Sequence, residues 1–270
     1  QGNEVYHSLT HASGFYREIF KKFKGMFERI FMTGVSPVTL DDLTSGFNIG
    51  WNISTEYQFN KMLGFSENDV REMLQYYKEC GKLPANVDIE SMIAEMKPWY
   101  DNYCFARESI GRDPKIFNCD MVFYYLRNYM TLGKPPREMI DPNTRTDYNK
   151  MKKLIQLDRL DGNRKSVLHQ ITEQGSIVTD LVNSFSAADI VDPDIFPSLL
   201  FYYGMLTITD LKGNLVELSI PNNNVRTQYY EFILDDYQNK QYVNLSDIQE
   251  LFYKMAYDGR WRETFEFIAK

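Results

Sequence analysis

The sequence predicts a mainly helical α+β fold with a minor β component, and three observations carry that reading. From Phe59 to about Gln156, apolar residues recur at helical spacing between capping and stop signals. From Leu215 to Ile220 they alternate with a period of two, behind a Lys212-Gly213-Asn214 turn. Ahead of both stands a short apolar run, Arg29-Ile-Phe-Met-Thr33, broken by Gly34, Ser36 and Pro37.

Ser13 to Phe27 reads as a helix. Phe15, Ile19, Phe20, Phe23, Met26 and Phe27 line one face, and Lys21, Lys22 and Lys24 take the other. Arg29–Thr33 follows as a strand, with Ile30 and Met32 on one side and Arg29, Phe31 and Thr33 on the other. In open α/β sheets ligands bind beyond the carboxyl ends of strands, which makes Thr33 a candidate site residue. The same pattern fits an ordinary strand end whose hydroxyl is satisfied by the turn. Asp41 and Asp42 fit the first turn of a helix after Thr39, where acids suit the dipole.

Ser66-Glu-Asn-Asp69 forms a capping box ahead of the stripe Val70, Met73, Leu74 and Tyr77, and Gly81 supplies the stop. Asp88 caps a second helix, with Ile89, Met92, Ile93 and Met96 inside and Pro98 at its end. Met121 to Met130 is apolar nearly all round, which predicts a buried helix. Thr146 begins another, with Tyr148, Met151, Leu154 and Ile155 inward. In Trp99-Tyr-Asp-Asn-Tyr-Cys-Phe105, Asn102 suits a left-handed turn.

Val167, Leu168 and Ile171 lie on a helix ended by Gly175, and Asp194 caps the next, with Ile195, Leu199, Leu200 and Tyr203 inward. A hairpin then spans Leu206 to Ile220. Helices followed by a hairpin describe a winged-helix-like subdomain. Val225 to Tyr237 is a further amphipathic helix through Val225, Tyr229, Phe232 and Ile233. The tail is a helical hairpin: Ser246-Asp-Ile-Gln249 caps it, Leu251, Phe252 and Met255 are inside, Asp258-Gly259 turns it, and Trp261, Phe265 and Ile268 start the last helix.

A formal charge of -7 excludes a surface that attracts nucleic acid or anionic membrane as a whole. No run approaches the ~18 apolar residues of a membrane span, so no membrane partner is expected. Cys80, Cys104 and Cys119 are too scattered for a zinc site and read as free thiols of a cytoplasmic protein. His7 and His11 stand four apart but make no metal site by themselves. Arg145, Lys150, Lys152, Lys153, Arg159, Arg164 and Lys165 form a basic stretch. Lys152, Lys153, Arg164 and Lys165 are its nucleic-acid candidates, although Asp141, Asp147, Asp158 and Asp161 dilute it toward a solvated helix face. Pro193-Asp194 and Asp210-Leu211-Lys212 spell the acids and lysine of a PD-(D/E)XK nuclease, but a helix cap and a hairpin turn are the better reading.

Arg29-Ile-Phe-Met-Thr-Gly-Val-Ser-Pro37 and the stretch to Ile49 resemble the signature of the AAA-ATPase-like domain family of Bacteroidetes, whose members often carry a C-terminal PD-(D/E)XK nuclease-like domain. Asn60-Lys-Met-Leu-Gly-Phe65, Trp99–Phe105, Phe196–Leu206 and Ile220-Pro-Asn222 agree in order. The resemblance implies a P-loop α/β core remnant over 1–58, a helical lid over 59–156, the winged-helix-like subdomain over 157–240 and a helical connector over 241–270. It implies that Thr33 is a sensor residue near the nucleotide γ-phosphate. It also puts Tyr100 and Tyr103 on the adenine side, although Trp99, Tyr103 and Phe105 read as lid core too. The family pattern has Gly where Asn102 stands.

A P-loop needs GxxxxGK[ST]. The only Gly-Lys pairs here, Gly81-Lys82 and Gly133-Lys134, lack its other residues. The expectation is therefore a fragment without Walker A and B, catalytically incomplete alone. ATP and Mg²⁺ belong to the intact parent, with no cofactor expected for this chain by itself. The parent's P-loop half and its nuclease-like domain would be its partners. A nucleic-acid- or protein-binding module acting through the winged helix is the alternative, and a nuclease the third reading.

Overall fold

The computed structural model describes residues 15–34, 51–113, 115–142, 163–183, 185, 192–241 and 245–269. The chain is mainly helical with two small antiparallel sheets. By contacts it forms two compact units, Gln1–Arg226 and Thr227–Lys270.

The first helix, α1 (Phe15–Met26), forms as its amphipathic pattern requires. The strand expected after it does not. Residues 27–34 have no regular structure, and Ile30, Phe31, Met32 and Thr33 are exposed. A strand persists when neighbours pair its backbone and cover a face, and no described residue does either for Arg29–Thr33. The apolar positions Phe15, Phe23, Met26 and Phe27 are likewise exposed. Asp41, Asp42, His7, His11 and the helix expected at Thr146 lie outside the described residues.

Three helices build the helical core: α2 (Glu67–Glu79), α3 (Ile89–Tyr100) and α4 (Cys119–Leu132). Both halves of the Ser66–Asp69 capping box are made, and Asp88 caps α3 by accepting from the Glu90 N–H. Asn118 does the same for α4 through the Met121 N–H. Val70, Leu74, Met92, Ile93, Met96 and Tyr125 are among the buried residues they share. Pro98 does not end α3, which continues to Tyr100. One proline removes a single hydrogen bond, and here the next turn is retained: Asp101 N–H donates to the Lys97 carbonyl, and Tyr100 is fully buried. Nor is α4 buried all round. Phe123 and Met130 are exposed, because its neighbours cover one face only.

Strands β1 (Gly64–Phe65) and β2 (Phe117–Asn118) pair antiparallel beside this core. Gly64 is required there, since a Cβ would lie 2.4 Å from Ile116 Cδ1.

Helix α5 (Asn163–Gln174) stops at Gly175 and feeds β3 (Ser176–Thr179). The short helix α6 (Phe196–Tyr202) leads to β4 (Thr207–Lys212) and β5 (Leu215–Ser219). The sheet order is β3-β5-β4, antiparallel throughout, with Ile177, Ile208, Val216 and Leu218 buried. The hairpin is as expected. Gly213 occupies the first of its two turn positions at φ +64°, where a glycine costs least. Ahead of α6, Asp192 rather than Asp194 provides the cap, by accepting the Asp194 N–H.

Helix α7 (Asn223–Gln241) begins in the first unit, with Val225, Tyr229 and Phe232 buried. In the second unit α8 (Leu245–Asp258) and α9 (Trp261–Ile268) pack on one another. α8 starts at Leu245, so Ser246 lies inside the helix rather than at its cap, and Phe252 is exposed rather than inward. No described helix is long and apolar enough to cross a membrane.

Candidate functional site

The turn after α3 is where the helical core meets the three-stranded sheet. Asp101 is extended, and Asn102 then takes φ +88°, the one non-glycine residue with positive φ among those described. The left-handed residue expected from the sequence is thus present. It reverses the chain so that Tyr103 bridges Ile116 in both directions, at 3.2 and 3.1 Å. A non-glycine residue at positive φ carries strain of order 1 kcal/mol and is held where surrounding bonds over-determine it.

Those bonds come from three distant side chains. Asn60, 2% exposed, accepts the N–H groups of Phe105 and Ala106 on its Oδ1, at 2.7 and 2.9 Å. Thr207 Oγ1 accepts the Cys104 N–H at 2.7 Å and stands 3.2–3.3 Å from the carbonyls of Cys104 and Asn102, to one of which its proton goes. Asn222 Nδ2 donates to the Asp101 carbonyl at 3.0 Å, while its Oδ1 accepts the Val225 N–H in the first turn of α7. The Ile208 N–H at the start of β4 donates to the Cys104 carbonyl. Every backbone polar group of the turn named here is answered from another element, as a buried loop demands.

The aromatic residues of this turn are packed. The Tyr100 hydroxyl donates to the Met139 carbonyl at 2.8 Å. The Tyr103 hydroxyl lies between the side chains of Asn222 and Asn118, and burial pushes its pKa up to about 12. Its ring stacks on Phe105, centroids 5.9 Å apart. Both tyrosines are buried, so neither ring offers an open face to a base in this arrangement.

Asp101 is the titratable group at the junction. It is 5% exposed, and its Oδ1 has no hydrogen-bond partner. Burial raises its carboxyl above the ordinary aspartate value of 3.8. Glu67 adds to the rise, and the Asn102 N–H, Lys97 and Lys115 oppose it. The neutral acid is thus favoured by folding. Its contribution is fully present below the unfolded value and is lost as pH rises through the raised one. Asp101→Asn is expected to gain stability relative to the parent as pH rises from about 3.5 to about 7. Chemical denaturation of both proteins across that range checks this, and a difference that stays constant with pH would contradict it.

The other sequence candidates stand apart from this junction. Thr33 is exposed in an irregular segment. Lys152 and Lys153 lie outside the described residues. Arg164 is buried, its guanidinium 5.2 Å from the centre of the Phe196 ring, and Lys165 is half-buried. Asp210 and Lys212 pair with each other at 2.6 Å, and Lys212 also reaches Glu217 at 3.3 Å. Lys212 holds the Asp210 carboxyl below its usual range. No group of three or more metal-ligating acids, histidines or cysteines occurs among the described residues. Two open grooves of about 280 and 490 Å³ flank α3, and neither is lined by residues 100–106.

Asn60, Thr207 and Asn222 were not singled out by sequence reasoning as junction residues. Asn60 and Asn222 do fall in stretches that carry the family resemblance. No family model, curated protein or solved structure matches the chain.

Proposed function

We propose that the chain is the sensor, lid and winged-helix portion of an AAA/STAND-like ATPase module, and that it transmits motion rather than catalysing hydrolysis by itself. One observation carries this reading. The turn at 101–106 continues directly from α3 of the helical core, is bonded to Asn60 at the end of the short 3-10 helix Tyr57–Phe59, and on its other side to Thr207 and Ile208 of the sheet. A displacement of the helices is then passed to the sheet through main-chain groups. The order β3-β5-β4, with α5 ahead of β3 and α6 ahead of the hairpin, supports a winged helix.

Neither Gly-Lys pair fits the phosphates of ATP. Gly81 and Gly133, the glycines of the two Gly-Lys pairs, both follow the carboxyl ends of helices. That end carries partial negative charge, the wrong sign for a phosphate. The sensor role of Thr33 rests on the resemblance alone.

Of the binding alternatives, protein docking through the hairpin is better supported than nucleic acid. Lys212 is held by two carboxylates, Arg164 is buried, and the chain is net acidic. Incubation with Mg²⁺-ATP is expected to give no turnover above background, and duplex DNA to bind more weakly than about 10⁻⁴ M at physiological salt. Turnover that survives repurification and vanishes with Thr33→Ala would sink the first expectation. A salt-dependent DNA titration in the micromolar range would sink the second.

A further inference from the structure

Asp101 stands where one charge acts on both sides of the junction. Its N–H donates to the Lys97 carbonyl in the last turn of α3, and its carbonyl accepts the Asn222 side chain ahead of α7. The carboxyl of the same residue is buried, and its Oδ1 meets no donor among the described residues. A buried carboxyl with an unanswered oxygen is far costlier as an ion than as the neutral acid. The main-chain bonds of Asp101 and the charge state of its side chain are therefore tied together.

The charged groups around it come from three places. Glu67 of α2 disfavours the ion, while Lys97 of α3, Lys115 ahead of β2 and the adjacent Asn102 N–H favour it. Both lysines are already engaged. Lys97 Nζ lies 2.6 Å from Glu67 Oε2, and Lys115 Nζ donates to the Ile208 carbonyl of β4 at 3.1 Å. From the sheet and from the segment ahead of α7, the turn is met by the neutral groups Thr207, the Ile208 N–H and Asn222. The Tyr103 hydroxyl beside Asn222 stays protonated, since burial pushes its pKa up to about 12. An ionised Asp101 thus has two courses. It remains unpaired in the interior, or it draws a lysine from Glu67 or from the Ile208 carbonyl. The first course favours opening of the turn to water, and the second strips a bond from the helices or from β4.

We infer that Asp101 is a proton-operated latch, which lets the turn join the helical core to the sheet when protonated and loosens that joint when ionised. The latch regulates the junction and rests on the reading of the turn as the transmission element. The stability contributed by the neutral acid is fully present below the unfolded aspartate value and is lost as pH rises through the raised folded one. The test is hydrogen exchange of the full 270-residue chain from about pH 4 to about pH 7, wild type beside Asp101→Asn, corrected for intrinsic rates. Asparagine keeps the shape and cannot titrate, so carboxylates elsewhere affect both proteins alike. Wild-type protection at the Cys104, Phe105, Ala106 and Ile208 amides is expected to fall severalfold relative to the variant as pH rises. A ¹³C titration of the wild-type Asp101 carboxyl reads the same event without a variant, and its midpoint should coincide with the fall in protection. A ratio of wild-type to variant protection that stays constant with pH overturns the latch. So does a carboxyl that titrates while those amides stay unchanged. Amides of α4 and β5 that open separately at every pH would overturn the transmission reading instead, and the pH dependence of the four junction amides is read independently of that.

Discussion

Asn60→Ala is expected to lower the stability of the first unit by about 2–5 kcal/mol, because it strands one buried and one part-buried backbone donor at about 1–3 kcal/mol each. The donors are the Phe105 and Ala106 N–H groups, which the Asn60 carbonyl oxygen accepts together. Water cannot easily replace it, since Asn60 and Ala106 are both buried. The Asn60 Nδ2 has no partner of its own, so its removal offsets part of the loss. For a unit of this size the melting temperature should fall by roughly 5–15 °C. Calorimetry checks this, and a fall of less than about 2 °C would show that Asn60 is not holding the turn.

Thr207→Val tests the other side of the same turn. Valine keeps the shape of threonine but loses the oxygen that accepts the Cys104 N–H and donates to a neighbouring carbonyl. The expected loss is about 1–3 kcal/mol, the penalty of a buried donor left unmade. Thr207→Ser retains the hydroxyl and is expected to recover most of it. Urea denaturation of the three proteins checks the order. Equal losses for Val and Ser would assign the effect to the lost methyl instead.

Much of this arrangement is written locally and is legible for that reason. The Ser66–Asp69 box, the Asp88 cap, the glycine stops and the hairpin turn each depend on residues within four or five positions. Asn102 is legible because few other residues tolerate its backbone conformation. The partners of the turn are not legible. Asn60 lies 45 residues from Phe105, and Cys104 lies 103 from Thr207. Nothing in the local pattern says which carbonyl or hydroxyl will face a buried N–H. β1 and β3 were missed because two and four residues are too few to display a period. Arg29–Thr33 has the period of a strand, but local pattern does not supply the neighbours that would pair with it. Helical spacing places Phe252 inward, but it marks an apolar face without saying what covers it, and Phe252 is exposed.

The most direct test of the junction as a transmission element is native-state hydrogen exchange. If the turn welds the helical core to the sheet, amides of α4 such as Val122 and Leu126 should open together with the β5 amides Val216 and Leu218. The Cys104, Phe105, Ala106 and Ile208 amides should share that opening free energy to within about 0.5 kcal/mol. Opening of β5 at a free energy lower than that of α4 by more than about 1 kcal/mol, with Cys104 and Ile208 following the sheet and Phe105 and Ala106 following the helices, would contradict it.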